Sequence, residues 1–427
     1  MSRLNVLARV MTATLMSAAA VACSDNSVPS APLSASDRLQ LSESDGRGAF
    51  QRYVAIGTSI SAGVASDGTT RASQEQSWPA QLARMAHREI TQPYISGTGC
   101  RPPIVAPLAR NIRLDGESAA ADPATLFCAP LEEGIELPVQ NLAINGALTR
   151  DALFTTPENI TDAGNRGIYH DVLLPGQTQI SSLEVQNPKI VSVEFGGNEV
   201  LNARTGIAVT GITLFPVDPW KGLYTQLVDR VAAVAKYGIL VGLIDDVASV
   251  AAFRRGSEIY ADRGAFSAVF NVTVSPDCDG NENLLFVPVR VPVAVANGVA
   301  RRNLGAGPYT LSCTAGPDNF ADYTLTPAEA QRVNAQMAEM SAYIRAEAER
   351  LGFAYTELNE LYGRAVSKAP FSVVSLMTTA EPYGPLISLD GVHPSAAGQR
   401  VLAEAAARAL DARYGFGMLA ETAFARR

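Results

Sequence analysis

The chain is poor in histidine, cysteine and tryptophan, and it has no basic clusters. Its 427 residues include 3 His, 5 Cys and 2 Trp, and the formal net charge is −8. No CxxC pair or Cys/His cluster is present, so the sequence predicts no metal site. An acidic chain without a basic run argues against nucleic acid as a partner. Beyond Val10–Ala22, no second long apolar stretch predicts a membrane span.

The first 22 residues have the pattern of a secretory signal peptide. Arg3 and Arg9 make the start basic, and the apolar run Val10–Ala22 leads directly into Cys23. Small residues before a cysteine resemble the lipobox of bacterial lipoproteins, although Ala20 stands where that motif most often has Leu. The resemblance implies an acylated Cys23, export, and anchoring at the outer membrane or cell surface. The alternative is an ordinary signal peptide with an incidental cysteine.

Four cysteines remain after Cys23, an even number that predicts disulfides in an oxidising compartment. We expect nearest neighbours to pair, which gives Cys100–Cys128 and Cys278–Cys313. Residues 23–48 are rich in Ser, Asp and Pro and are typical of a flexible tether behind the anchor. We assign residues 49–416 to one large domain and 417–427 to a C-terminal tail.

Short apolar segments bounded by turn residues predict buried parallel strands. Helical patterns alternate with them, so we expect a doubly wound α/β sheet whose ligands bind beyond the carboxyl ends of the strands. The predicted strands are Tyr53–Ile56, Val139–Ile144, Ile190–Phe195, Ile239–Ile244 and Phe353–Tyr355.

Several helices have recognisable boundaries. Asp218 opens one that we expect to stop at Gly238. Thr326, with Pro327 next and Glu329 three residues on, predicts a capping box for a long helix. Ser395 can cap the last helix.

Two stretches depart from the alternation and are predicted to be disulfide-stapled insertions. They are Gly97–Leu137 and about Phe253–Tyr323. Within the second, Leu284–Ala296 alternates valine with Pro and Arg and favours an edge hairpin. We hypothesise that this second insertion covers or lines the substrate pocket, the alternative being an inert satellite on a flank.

Chemistry-bearing residues follow the first three predicted strands and stand near the C-terminus. Ser59 comes after the first strand, Gly146 after the second and Asn198 after the third. Near the end, Asp390 precedes His393 by three residues, a spacing at which a carboxylate can reach the Nδ1–H of the imidazole. Singly, each signal is weak, because a serine, glycine or asparagine after a strand is usually a turn or cap residue.

Four such blocks in this order and strand context resemble the SGNH (GDSL-type) hydrolase superfamily. The resemblance covers Tyr53 to about Tyr414 without the insertions. It implies a three-layer α/β/α sandwich of flavodoxin-like type around a central, mainly parallel sheet, here of five strands. Two positions depart from the family motifs: Thr58 and Glu199 stand where the family has Asp.

Carried over by position, Ser59 resembles the nucleophile, His393 the base and Asp390 its orienting carboxylate. The backbone N–H groups of Ser59 and Gly146 and the side chain of Asn198 resemble the oxyanion donors. The implied function is hydrolysis of carboxylic esters or thioesters outside the cytoplasm, through an acyl-enzyme and without a cofactor. The alternatives are removal of acetyl groups from polysaccharide by the same residues and a non-catalytic binding lipoprotein. We expect a monomer whose only partners are its small-molecule or lipid ester substrate and the membrane.

Overall fold

The centre of the molecule is a parallel β-sheet of four strands. The computed structural model describes residues 46–120, 125–162, 164–317 and 320–419. The sheet has the order β1-β2-β3-β9, and every neighbouring pair is parallel. The residues of the strands are mostly apolar and are buried on both faces of the sheet, as expected for parallel strands. These strands are β1 (Tyr53–Gly57), β2 (Ile190–Glu194), β3 (Tyr237–Gly242) and β9 (Ala354–Glu357).

The prediction of a fifth strand over Val139–Ile144 is wrong, because this segment does not form a full strand of the sheet. The segment runs parallel to β1 and bonds to it at alternate residues, with the Leu142 N–H donating to the Ala55 carbonyl at 2.8 Å. Only one bridge forms, between Ala55 and Asn141. The Asn141 side chain accepts the Ala143 N–H and donates to the Ser61 carbonyl.

Helices surround the sheet in two groups. The helix Pro327–Leu351 and the helix Ala396–Tyr414 both contact β3 and β9, and each packs on a different set of helices. The α/β architecture predicted from the sequence is therefore confirmed. Outside the second insertion the helices are α1 (Ser59–Ala62), α2 (Arg71–Glu75), α3 (Trp78–Met85), α4 (Thr149–Phe154), α5 (Arg166–Val172), α6 (Gln179–Gln186), α7 (Asn198–Leu201), α8 (Val217–Val234), α12 (Pro327–Leu351), α13 (Asn359–Tyr362), α14 (Val373–Thr378) and α15 (Ala396–Tyr414).

The predicted helix starts are confirmed, but one predicted stop is wrong. Thr326 and Glu329 form the capping box of α12, and the Ser395 side chain caps α15. Helix α8 ends at Val234, and Gly238 belongs to β3. A Cβ at Gly238 would lie 2.4 Å from the Phe353 ring, so this glycine serves strand packing instead of helix termination.

The second insertion contains three α-helices and contributes strands to two small sheets, and the edge hairpin expected over Leu284–Ala296 is wrong. The stretch Leu284–Ala296 forms a short strand and then most of a 17-residue helix. Its strands and helices are β4 (Phe253–Arg255), α9 (Gly256–Ala261), α10 (Arg263–Phe270), β5 (Val272–Val274), β6 (Leu284–Phe286), α11 (Val287–Asn303) and β7 (Tyr309–Leu311), with β8 (Thr324–Leu325) directly after it. Strands β4, β6 and β8 pair antiparallel, and β5 pairs with β7 in parallel.

Both predicted disulfides are present. Cys100 bonds to Cys128 in the first insertion, and Cys278 bonds to Cys313 in the second. The predicted signal peptide, Cys23 and most of the tether lie outside the described residues, as does the tail beyond residue 419. Within the described ranges, no helix has the length and apolar character needed to cross a bilayer.

Candidate active site

Ser59 lies in the turn between β1 and α1, at the carboxyl edge of the sheet. Strand β1 ends at Gly57, Thr58 precedes the helix, and Ser59 is the first helical residue, 5% exposed. The turn requires glycine at position 57, because a Cβ there would lie 2.7 Å from Ser61 Oγ. This is the rim at which open α/β sheets bind their ligands.

His393 and Asp390 form a hydrogen-bonded pair near the C-terminus. His393 Nδ1 lies 2.7 Å from Asp390 Oδ2. The other oxygen, Asp390 Oδ1, accepts the backbone N–H groups of Val392 and His393, each at 2.9 Å. An ionised carboxylate can only accept, so the Nδ1 atom carries the proton and Nε2 is left with a free lone pair. The spacing predicted from the sequence thus produces the expected contact.

The pair also sets the charges at the site. Burial disfavours the ionised carboxylate, but the charge and hydrogen bonds of His393 outweigh it and lower the pKa of Asp390 to about 2. Burial likewise disfavours the imidazolium, yet the negative charge of Asp390 prevails and raises the pKa of His393. A carboxylate that remains ionised therefore stabilises the charge His393 would acquire as a base.

Two of the three residues predicted as oxyanion donors, Gly146 and Asn198, lie on turns that contact each other. Asn198 begins α7, and its Nδ2 atom donates to the Ala147 carbonyl at 2.8 Å. Gly146 adopts a φ of +75°, and a Cβ there would lie 2.7 Å from Asn165 Nδ2, so glycine is required on both grounds. The second hydrogen of the Asn198 amide remains available to a ligand.

A buried carboxylate that the sequence reasoning missed supports the turn of Ser59. Glu194, the last residue of β2, accepts the Thr58 N–H at 3.1 Å and hydroxyl hydrogens from Thr58 and Ser61 at 3.0 Å. Burial raises the pKa of Glu194 to about 7 against these hydrogen bonds. Thr58, the departure from the family motif, is therefore a donor to a carboxylate supplied by another strand. The signal was a glutamate at the end of a buried, mainly apolar strand.

The second departure, Glu199, joins the two oxyanion turns. Its Oε1 atom accepts the backbone N–H of Thr149 at 2.7 Å, and the side chain is 3% exposed. Thr149 starts α4, directly after the turn of Gly146, and its hydroxyl accepts the Trp220 indole N–H at 2.9 Å. Glu199 thereby fixes the start of α7 to the start of α4.

Asp67 connects the first insertion to Asp390, because it contacts both Asp390 and Arg113 of the insertion. The Asp67 backbone N–H donates to Asp390 Oδ2 at 2.6 Å, and the Asp67 carboxylate pairs with Arg113 Nη2 at 2.6 Å. Arg113 is 3% exposed and also donates to the Pro102 carbonyl. No motif marks these residues, so sequence reasoning did not find them.

The two other histidines lie away from this site. His87 follows the end of α3, and His170 lies in α5. Neither lines the cavity beside Ser59.

Ser59, Asn198 and His393 line a cavity of about 110 Å³. Gly146 is not among the lining residues; it directly precedes Ala147, to whose carbonyl Asn198 donates. Most of the wall is apolar, and part of it comes from the second insertion. Among the apolar lining residues are Val200, Leu243, Phe253, Phe286, Leu325 and Met337.

The fold and rim together have the layout of an α/β ester hydrolase. Residues 53–237 match the model of the GDSL-like lipase/acylhydrolase family, so this part of the chain is a GDSL-like lipase/acylhydrolase domain. The protein is an ester hydrolase. The match includes Ser59, Gly146 and Asn198, whereas Asp390 and His393 lie beyond it.

Solved structures with some similarity include three hydrolases. They are the acetylxylan esterase Axe2 of Geobacillus stearothermophilus (13% identity, 85% of this chain and 94% of that chain, TM-score 0.32), the α/β hydrolase LAE5 from the metagenome of Lake Arreo, Spain (14%, 85% and 94%, 0.35), and an extracellular lipase of Streptomyces rimosus (15%, 83% and 98%, 0.30). At these TM-scores the likeness carries no argument about this chain. No curated protein matches it.

Proposed function

We propose that this protein is a serine esterase that hydrolyses carboxylic or thioesters with an apolar acyl chain. The observation that carries the proposal is the position of Ser59 and His393 on the wall of one largely apolar cavity, with Asp390 bonded to His393. A serine hydroxyl is a weak nucleophile until a base accepts its proton, and His393 Nε2 is the base at hand.

In the proposed reaction, Ser59 Oγ attacks the ester carbonyl carbon while His393 Nε2 takes the hydroxyl proton. Negative charge on the former carbonyl oxygen is stabilised by the Ser59 and Gly146 backbone N–H groups and the Asn198 amide. The carbonyl re-forms as the ester C–O bond breaks, and the alcohol departs with the proton from His393. Water then attacks the acyl-enzyme and gives a proton to His393. The carbonyl re-forms as the bond to Ser59 Oγ breaks, Ser59 takes the proton back from His393, and the acid departs.

The cavity favours acyl chains longer than acetyl. A volume of about 110 Å³ is on the order of the ~150 Å³ cavities that admit benzene, so it has room for several methylenes. Each methylene moved from water into such a cavity contributes about 0.8 kcal/mol. The acetylated-polysaccharide alternative offers only a methyl group to this wall.

The decisive experiment is Ser59→Ala, compared with the exposed serine variant Ser118→Ala. Ser59→Ala should abolish hydrolysis of 4-nitrophenyl esters and labelling by a fluorophosphonate probe, with unchanged circular dichroism. Ser118→Ala should retain both. Hydrolysis that survives in folded Ser59→Ala would refute the proposed nucleophile.

A panel of acyl lengths from acetyl to decanoyl, with acetylated oligosaccharides beside it, tests the substrate class. We expect kcat/KM to rise from acetyl to a medium chain. Highest activity on acetylated sugars would transfer the proposal to polysaccharide deacetylation. No activity on any ester, with wild type and Ser59→Ala alike, would support the non-catalytic alternative.

A further inference from the structure

Arg204 is a cation in the largely apolar wall of the substrate cavity. It lies in the short 3₁₀ turn Asn202–Thr205, just after α7, and it lines the same cavity as Ser59 and His393. The side chain is half-buried, and burial lowers the pKa of Arg204. The guanidinium has thus lost part of its hydration.

Among the residues that the structure describes, none hydrogen-bonds or ion-pairs with the Arg204 side chain. The two other arginines near the site are occupied: Arg101 donates to Asn165 Oδ1 at 2.7 Å, and Arg113 pairs with Asp67. Asp67 and Asp390 attract Arg204 through space only. A partly desolvated charge without a hydrogen-bond partner is costly, which is expected where a ligand supplies the partner.

Arg204 lines the same cavity as His393 and lies close enough for its charge to act on that imidazole. The charges that act on His393 are those of Asp390, Asp67 and Arg204. In the proposed reaction His393 gives its proton to the alcohol oxygen, so a substituent of the alcohol passes close to this group of charges. The acyl chain is directed instead to the apolar wall.

We propose that Arg204 binds an anionic group, a carboxylate or a phosphate, on the alcohol part of the ester substrate. The planar guanidinium presents paired N–H donors that match either anion. The substrate class is then an ester of an acidic alcohol with an apolar acyl chain. This inference rests on the proposed function and adds the charge of the alcohol.

The test uses two pairs of hexanoyl esters, and in each pair one member carries an anionic group on the alcohol part and the other is neutral. The first pair is 4-carboxyphenyl hexanoate and its neutral counterpart, 4-carbamoylphenyl hexanoate. The second is 1-hexanoylglycerol 3-phosphate and 1-hexanoylglycerol. Hydrolysis is followed by pH-stat titration, and the readout is the anionic-to-neutral ratio of kcat/KM. The pair with the larger ratio identifies carboxylate or phosphate as the ligand.

Wild type should favour the anionic member of at least one pair by roughly 10- to 100-fold, mainly through KM, as a charge-assisted hydrogen bond made in the bound substrate would. Arg204→Gln should bring the ratio close to one, and Arg204→Lys should keep part of it. The control Arg400→Gln, an exposed arginine paired with Glu404 on α15, should keep the wild-type ratio.

Two results would overturn the assignment. One is a wild-type ratio near one for both pairs. The other is an unchanged ratio in folded Arg204→Gln, including the case in which this variant loses activity equally on both esters. Failure of the proposed nucleophile is separate, since it is measured by hydrolysis of the neutral esters in Ser59→Ala.

Discussion

At the residue scale, Glu194 links the chemistry of the site to the stability of the fold. Its carboxylate lies beneath the turn of Ser59 and accepts hydrogens from Thr58 and Ser61. Because burial raises the pKa of Glu194 from 4.5 to about 7, the folded chain holds this proton more tightly than the unfolded chain. The stability that Glu194 contributes is complete below pH 4.5 and is lost as the pH rises through about 7.

Glu194→Gln should remove this pH dependence. Between pH 5 and pH 8 the free energy of unfolding should fall by about 3 kcal/mol more in wild type than in the variant. Denaturant unfolding at the two pH values measures the difference, and His393, which titrates nearby, cancels in the comparison. Glu349→Gln, an exposed glutamate on α12, should follow wild type. If the free energy of unfolding falls equally in wild type and Glu194→Gln, Glu194 does not titrate in this range.

Asn198→Ala should act on rate more than on binding. In the proposed reaction the amide stabilises charge that develops only in the transition state, so we expect kcat to fall by roughly 10²–10³ with a smaller change in KM. Asn159→Ala, an exposed asparagine outside the cavity, serves as the matched control. Steady-state kinetics on one 4-nitrophenyl ester are sufficient. A higher KM with an unchanged kcat would make Asn198 a ground-state binding residue.

Sequence reasoning identified the residues that touch the proposed reaction but not those that support them. Ser59 and Asn198 were found because each directly follows a buried strand, and His393 because Asp390 precedes it at a contact spacing. Arg113 and Arg204 lie in irregular segments, where no periodicity indicates which side chains face the site. Their positions depend on tertiary packing that one sequence does not encode locally.

At the element scale, α11 shows why the second insertion was misjudged. Valine and proline favour a strand edge, and the sequence suggested a hairpin. In the helix Pro288 occupies the first turn, where the lost N–H costs nothing. The buried positions Val287, Val291, Ala294 and Gly298 are spaced by three or four, which is the helical period. That spacing outweighed the propensity of the individual residues.

Phe286, in β6 of the insertion, should limit the acyl length that the cavity accepts. It lines the cavity and packs edge-on against Phe253, with ring centroids 5.3 Å apart. Phe286→Ala should raise the decanoyl-to-butyryl ratio of kcat/KM by roughly 10-fold, equivalent to about two more buried methylenes at ~0.8 kcal/mol each.

The matched control for Phe286→Ala is Phe320→Ala, in the same insertion and 64% exposed, which should keep the wild-type ratio. Melting curves confirm that both variants are folded under assay conditions, since a buried Phe→Ala change can cost about 3–5 kcal/mol. An unchanged ratio in folded Phe286→Ala would favour the alternative in which the insertion is a satellite with no part in substrate selection.

At the scale of the whole molecule, we propose an exported lipoprotein anchored through Cys23. The support is the signal pattern of residues 1–22 and the lipobox resemblance, together with two disulfides of the kind expected in an oxidising compartment. The tether 23–48 would then hold the hydrolase domain near a membrane surface, where esters of lipids are available.

The anchor proposal predicts the mass of the mature protein. Mass spectrometry should find a chain that begins at Cys23 and carries acyl groups, and Cys23→Ala should move the activity from the membrane to the soluble fraction. Ser24→Ala, next to the modified position, should remain membrane-bound. A soluble wild-type protein that begins at another residue would refute the anchor without affecting the proposed esterase.

The contact between Asp67 and Asp390 has a consequence for biosynthesis. The two residues are 323 positions apart, and the proposed nucleophile and its proposed base come from opposite ends of the domain. A ribosome must therefore deliver residues 59 through 393 before the two parts of the proposed site can meet. Any chain released before residue 393 would carry a serine with no base. Under the proposed mechanism, esterase activity would therefore report that synthesis has passed residue 393.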